Sequence, residues 1–258
     1  MSVIRLFTAR FPLPLDLVQI PLLRHTFIAE AYRQQLWLGR QYLHPDLFVN
    51  ETEDGTTYDR YPLVQYQASG SHATVIGMQQ GAEALRRLWE KWADPRLHET
   101  PFLLEGATAE AYEMQVDSAP VAALRRYLLQ DWMPLNIREE RAFDRLGPEA
   151  LQQKLAEKLS MHIRKWMEGC GIPETEPLVV SELQAGGFVR IRFKHELRLV
   201  GTCSFAANYM LPPGIGLGNS PAFGFGRVRH LPQPAAYSSK APAATAVQEA
   251  AALLQEGL

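Results

Sequence analysis

The sequence predicts an α+β protein built from two similar halves, on three observations. Its 258 residues suffice for two domains of ordinary size. Short runs of alternating apolar residues in the first half are separated by two amphipathic helical patterns, residues 20–35 and 81–92. A third helical pattern, 148–169, is again followed by strand-like runs, so the second half repeats the theme without repeating the sequence. With 47% hydrophobic and 21% charged residues, the chain can bury its cores without disulfide or metal staples.

Taken in order, residues 3–11 alternate as a strand does, and Pro12-Leu13-Pro14 ends it because proline donates nothing to a ladder. In the helix at 20–35, Leu22, Leu23, Phe27, Ile28 and Ala31 recur at helical spacing. Residues 47–50 are followed by a polar stretch containing the turn signal Asp54-Gly55. A second strand at 60–67 carries Tyr61, Leu63, Val64 and Tyr66, and a hairpin across Ser69-Gly70-Ser71 leads to a third at 72–78. The helix at 81–92 turns Ala84, Leu85, Leu88 and Trp89 inward and Arg86, Arg87 and Glu90 outward. Residues 102–104 and 111–116 predict further strands. Such an order suits a ferredoxin-like sandwich, with helices on one face of an antiparallel sheet.

The second half opens on a strand at 121–129. Its long helix, 148–169, aligns Leu151, Leu155, Leu159, Ile163 and Met167, with Gly171 just past the end. Residues 178–182 and 188–199 predict a hairpin about Ala185-Gly186-Gly187. Residues 233–245, rich in Pro, Ala and Ser, read as a linker, and 246–254 as a short helix. The expected organisation is a ferredoxin-like domain at 1–118, another at 119–232, and a tail at 233–258.

The net charge of −2 argues against a histone-like binder but hides an asymmetry. Between residues 187 and 230 there are six Lys or Arg against the single acid Glu196, while the remainder holds 20 basic and 27 acidic residues. Charge segregated this way marks a surface for a polyanion, or else a solvated basic strand face. Cys170 and Cys203 lack the spacing of metal ligands, and neither a metal nor another cofactor is expected. No apolar run is long enough to span a bilayer, so no membrane partner is expected. Residues 1–11 lack the continuous apolar stretch of a secretory signal, which leads to the expectation of a cytoplasmic protein.

Two segments carry the chemistry. In Phe188-Val-Arg-Ile-Arg-Phe-Lys-His195, Arg190, Arg192 and Lys194 alternate with apolar residues, so a strand would point all three cations one way. Like charges in a row are best tolerated where phosphates meet them, although basic residues also defend edge strands. In the second, glycines 214, 216, 218, 224 and 226 flank Asn219-Ser-Pro-Ala-Phe223. Glycine permits close backbone approach, and the exposed N–H groups of such a loop bind anions. Gly-Lys-Ser/Thr is missing, and the residues after the last glycine are strand-like, with Arg227 and Arg229. Neither a triphosphate loop nor a dinucleotide fingerprint therefore fits.

Phe205-Ala-Ala-Asn-Tyr-Met-Leu-Pro212 followed by Gly-Ile-Gly-Leu-Gly218 and Gly-Phe-Gly-Arg-Val228 resembles the C-terminal signature of the CRISPR repeat-RNA-processing endoribonucleases, members of the RAMP superfamily. The branch it resembles is that of type I-B systems. Arg60-Tyr-Pro-Leu-Val-Gln-Tyr66 with residues 75–85, and Trp132-Met-Pro-Leu-Asn136, resemble the same branch in the same order, so the resemblance covers residues 1–230. It implies two tandem ferredoxin-like (RAMP/RRM-like) folds. It also implies metal-independent cleavage of CRISPR repeat RNA, in which a 2′-hydroxyl attacks the adjacent phosphate and leaves a cyclic phosphate and a 5′-hydroxyl.

Relatives in that branch carry His-Asn-His before the second-strand motif; here Val49-Asn50-Glu51 stands in its place. Where relatives have Lys after the Gly-x-Gly pair, this chain has Asn219. The catalytic expectation therefore moves to His25 on the first helix, with His44 as the second candidate, because histidine titrates near neutrality. Tyr32, Tyr42 and Tyr58 could orient water or phosphate, and His162, inside a helix, reads as structural. The expected RNA contacts are Arg190, Arg192, Lys194, His195 and Arg198, together with Gly216, Gly218, Asn219, Ser220, Gly224, Phe225, Gly226 and Arg227. The partner expected is repeat or guide RNA, with other CRISPR effector subunits as further candidates. The alternative function is a guide-RNA-binding subunit that does not cut.

Overall fold

The computed structural model describes residues 2–38, 45–49, 60–68, 70–92, 105–143 and 145–232. Two four-stranded antiparallel sheets organise the chain. The first is built from β1 (Ser2–Phe11), β2 (Val64–Ala68), β3 (Ala73–Met78) and β4 (Thr108–Val116), in the order β2-β3-β1-β4. Helix α1 (Ile20–Leu38), the single turn α2 (Asp46–Val49) and α3 (Gln80–Trp92) complete that half. The second sheet contains β5 (Arg125–Trp132), β6 (Val180–Phe193), β7 (Glu196–Ala207) and β8 (Arg227–His230), ordered β6-β7-β5-β8. Between β5 and β6 lie α4 (Ile137–Phe143) and α5 (Pro148–Gly169). If the strands of each half are numbered one to four, both sheets have the order 2-3-1-4, which is the ferredoxin-like arrangement the sequence predicts.

Each half folds for legible reasons. In β1 the alternation sends Phe7, Ala9 and Phe11 to the core under α1 and α3, and Ile4 and Leu6 to the opposite face. Helix α1 buries Leu23, Phe27 and Ala31, while Leu22 faces solvent. Two glycines let helix α3 lie close: a Cβ at Gly77 of β3 would stand 2.5 Å from Gly81 O, and one at Gly81 2.3 Å from Leu63 O. Helix α5 starts on Pro148 and ends in a Schellman motif, with Ile172 N–H donating to Met167 O at 2.8 Å around Gly171 at φ +68°. Its stripe of Leu155, Leu159, Ile163, Trp166 and Met167 packs on β5 and β7 and also on Ile4, Leu6, Ile76 and Met78 of the first sheet. The buried residues form two apolar clusters, and each draws side chains from both halves.

Three differences from the sequence expectations bear on function. The turn expected at Ala185–Gly187 is not a turn: β6 runs through it as one 14-residue strand, with register shifts at Ser181/Gln184 and Ala185/Phe188. The glycines mark irregularity in a long strand, and the hairpin turns at Lys194-His195, both at positive φ (47° and 68°). That is the backbone of a two-residue hairpin turn, normally filled by Asn-Gly. Residues 121–129 do not form one strand: Val121–Ala123 make a 3-10 turn before β5 begins. Finally, the link from β7 to β8 contains no α-helix; the Gly-rich segment and a 3-10 turn at Pro221–Phe223 replace the helix that α3 provides in the first half. Residues 102–104 and the tail at 233–258 lie outside the described residues.

Candidate nucleic-acid interface

The Gly-rich segment is threaded between the two halves with its polar backbone atoms turned inward. Gly216 N–H donates to Gln65 Oε1 (2.7 Å), and its carbonyl accepts from the Tyr61 hydroxyl (2.5 Å). The Gln67 amide donates to Gly214 O. Leu217, Asn219 and Gly226 N–H groups donate to Gly226 O, Met133 O and Asp131 O at 2.8, 2.9 and 3.0 Å. Burial pushes the Tyr61 phenol well above its ordinary pKa, which keeps it a neutral donor in this lock. A Cβ at Gly226 would stand 1.6 Å from Leu217 O, so glycine is needed for the segment's own packing. Of the expected RNA contacts, Gly216, Gly224, Phe225 and Gly226 are all buried. Gly218, Asn219 and Ser220 are less deeply placed, and the Asn219 side chain donates to Met133 O.

Arg227 and Arg198 are likewise committed within the fold. Arg227 spans both halves, donating to Ala68 O (3.3 Å) and Gln130 Oε1 (2.9 Å), and burial lowers its pKa. Arg198 pairs with Ile191 across the ladder and so shares the inward face of the hairpin, opposite to Arg190 and Arg192. It is 8% exposed and donates to Glu140 Oε1 (3.0 Å) and Leu135 O (2.8 Å). Arg190 reaches the second oxygen of the same carboxylate at 3.9 Å. Glu140, on α4, thus braces the hairpin from inside, a role with no local signature in the sequence.

The surface that remains is the β6–β7 hairpin and the residues its tip touches. Arg190, Arg192, Lys194 and His195 are all exposed, the last two in the turn itself. Behind the tip, Phe193 packs edge-on against Phe223 and Phe225, with ring centroids 5.4 and 4.9 Å apart. Lys194 Nζ lies 4.2 Å from the Phe223 ring centre. From the other half, Arg24 of α1 places its guanidinium carbon 4.7 Å from the same ring and donates to Val49 O, beside the position of the missing His-Asn-His. Arg24 is followed directly by His25, exposed on the outer surface of α1.

The fold brings the expected RNA contact Lys194 and Arg24, the sequence neighbour of His25, to the same ring of Phe223. Arg24 and Phe223 have no local signal in the sequence. His44, Tyr42, Tyr58, Asn50 and Glu51 lie outside the described residues. His162 is buried, its Nδ1 accepts from Trp132 Nε1 (3.3 Å), and burial first, then Lys158 and Lys165, lowers its pKa to about 3. It is a neutral core histidine.

Residues 4–114 match the Cas6b N-terminal domain and residues 121–231 the Cas6b C-terminal domain. Among solved structures, the chain is similar to a crystal structure of Cas6b at 18% identity and TM-score 0.69, covering 89% of this chain and 100% of that one. It is also similar to the CRISPR RNA processing endoribonuclease Cas6b (17%, TM-score 0.62, 89% and 100%) and to Csf5, a CRISPR-Cas type IV Cas6 crRNA endonuclease (13%, TM-score 0.54, 90% and 100%). At these identities the structural likeness is one of fold. No curated protein sequence matches the chain significantly.

Proposed function

The chain belongs to the Cas6b family, and on that premise we propose that it binds CRISPR repeat RNA along the β6–β7 hairpin and cuts it beside α1. One observation carries the reading: the hairpin tip with Lys194 and His195 folds against Phe223, where Arg24 also sits, one residue from His25. An RNA stem following Arg190 and Arg192 toward the tip would deliver a backbone linkage to the part of α1 that carries Arg24 and His25. Cleavage then needs no metal. The 2′-oxygen loses its proton to a base as it attacks the neighbouring phosphorus, and the 5′-oxygen leaves with a proton from an acid. His25 serves as one of these, and the cations offset the growing phosphorane charge.

The test is incubation of the purified protein with a repeat hairpin in EDTA. The expected product carries a 2′,3′-cyclic phosphate opposite a 5′-hydroxyl, and His25→Ala slows its formation by about 10²–10⁴-fold, the usual scale for acid–base groups, with binding retained. Cleavage at the wild-type rate in His25→Ala but not in His44→Ala would move the role to His44. The second reading, a guide-RNA holder that does not cut, draws on Val49-Asn50-Glu51, where Arg24 caps a backbone carbonyl at the place of the family's histidines. Tight binding without cleavage by the wild type would select it.

A further inference from the structure

We infer that Arg24 and Lys194, gathered on Phe223, form a seat for one backbone phosphate of the bound RNA, bridging the two halves of the molecule. The inference rests on the RNA-binding reading above and deepens it by assigning these residues to a single backbone linkage. Arg24 comes from α1 and Lys194 from the turn 170 residues later, and both approach the same ring, at 4.7 and 4.2 Å. A ring face attracts each cation separately, yet two cations brought to one ring repel each other. An anion within reach of both offsets that repulsion, and a phosphodiester carries the single negative charge and the unesterified oxygens to meet them.

The seat is built rather than incidental. Arg24 is fixed by its hydrogen bond to Val49 O and lies near the buried Tyr66. A planar guanidinium held in this way loses little freedom when it grips a phosphate oxygen. Phe223 is fixed in turn by Phe193 and by the 3-10 turn, whose ends, Ser220 and Gly224, both adopt left-handed backbone. Lys194 occupies a left-handed turn position that a lysine seldom takes, and its ammonium lies 5.9 and 4.2 Å from the ring centres of Phe193 and Phe223. Arg24 and Phe223 thus become specific positioning elements for a linkage near His25, and Lys194 more than a general basic contact.

Binding is measured with a repeat RNA carrying a 2′-deoxy block at the cut and a neutral methylphosphonate at one linkage at a time. One linkage beside the cut is expected to lose roughly tenfold in wild-type affinity, as for a lost charge-assisted hydrogen bond. In Lys194→Gln and Arg24→Gln the same linkage becomes insensitive, and the slope of log Kd against log salt falls by about 0.7–0.9. Phe223→Leu, which keeps the bulk but not the ring, weakens sensitivity at that linkage alone. Lys194 lies at an exposed turn, so its variant decides the matter even if Arg24→Gln loosens α1. Salt-dependent wild-type binding with the same methylphosphonate profile in wild type and Lys194→Gln overturns the seat and leaves the RNA reading standing. Failure of the wild type to bind repeat RNA overturns both.

Discussion

A buried carboxylate shared by two arginines sets the balance of charge under the basic hairpin. Glu140 accepts from buried Arg198 and lies near the more exposed Arg190, so one buried negative charge is divided between two positive ones. Glu140→Ala leaves Arg198 buried without its carboxylate. It should destabilise the protein by about 3–5 kcal/mol in urea titration, the usual scale for breaking a buried pair from one side. His162 makes a prediction about pH. Its folded pKa of about 3 lies below the ordinary value, so on acidification the unfolded chain takes up the proton first. Its contribution is complete above about pH 6.5 and is lost as pH falls from there toward 3. His162→Gln should therefore make the acid limb of a stability–pH profile shallower by about one proton. That His162 belongs to the core is legible from its place on an apolar helix. Arg198 is not legible in this way, because its side of the hairpin is fixed by pairing with Ile191 and by Glu140, 58 residues away.

At the scale of the element, the hairpin turn keeps Lys194-His195 in a conformation that Asn-Gly adopts far more readily. Replacing the pair by Asn-Gly should raise stability by about 1–2 kcal/mol while lowering affinity for repeat RNA. A gain in stability with unchanged affinity would remove the tip from the interface. The turn also shows where local reading stops. Gly186-Gly187 is the stronger turn signal, but the long strand β6 pairs with β7 over two register shifts, and the ladder overrides it. The ends of α5, by contrast, are written in Pro148 and Gly171, whose backbone preferences no distant contact opposes. Helix α1 presents Leu22 (70% exposed) and Tyr32 on the same outward face as His25, at spacings of three and seven residues. The meeting of Arg24 on this helix with Lys194 of a turn 170 residues later, at Phe223, follows from topology alone.

At the scale of the molecule, the Gly-rich segment takes the place of a helix and ties the halves together. Its glycines are legible as positions where backbones approach closely; that the approaching backbone is the chain's own is not, since Tyr61 and Gln65 come from the other half. Gly226→Ala should cost about 3 kcal/mol, because a Cβ meets Leu217 O. Tyr61→Phe should cost about 1–3 kcal/mol by leaving Gly216 O without its buried donor. Both are expected to shift one common melting transition rather than split it in two, which calorimetry would read. The threading also imposes a timetable on the ribosome. The first sheet can form as soon as β4 emerges, but Phe223 and the lock at Gly216 belong to the last link before β8, and domains generally assemble from the N-terminus during synthesis. A nascent chain that stops short of Phe223 carries His25 and the basic hairpin yet lacks the ring that brings Arg24 and Lys194 together. Competence for RNA should therefore arrive late and abruptly, with the final strand.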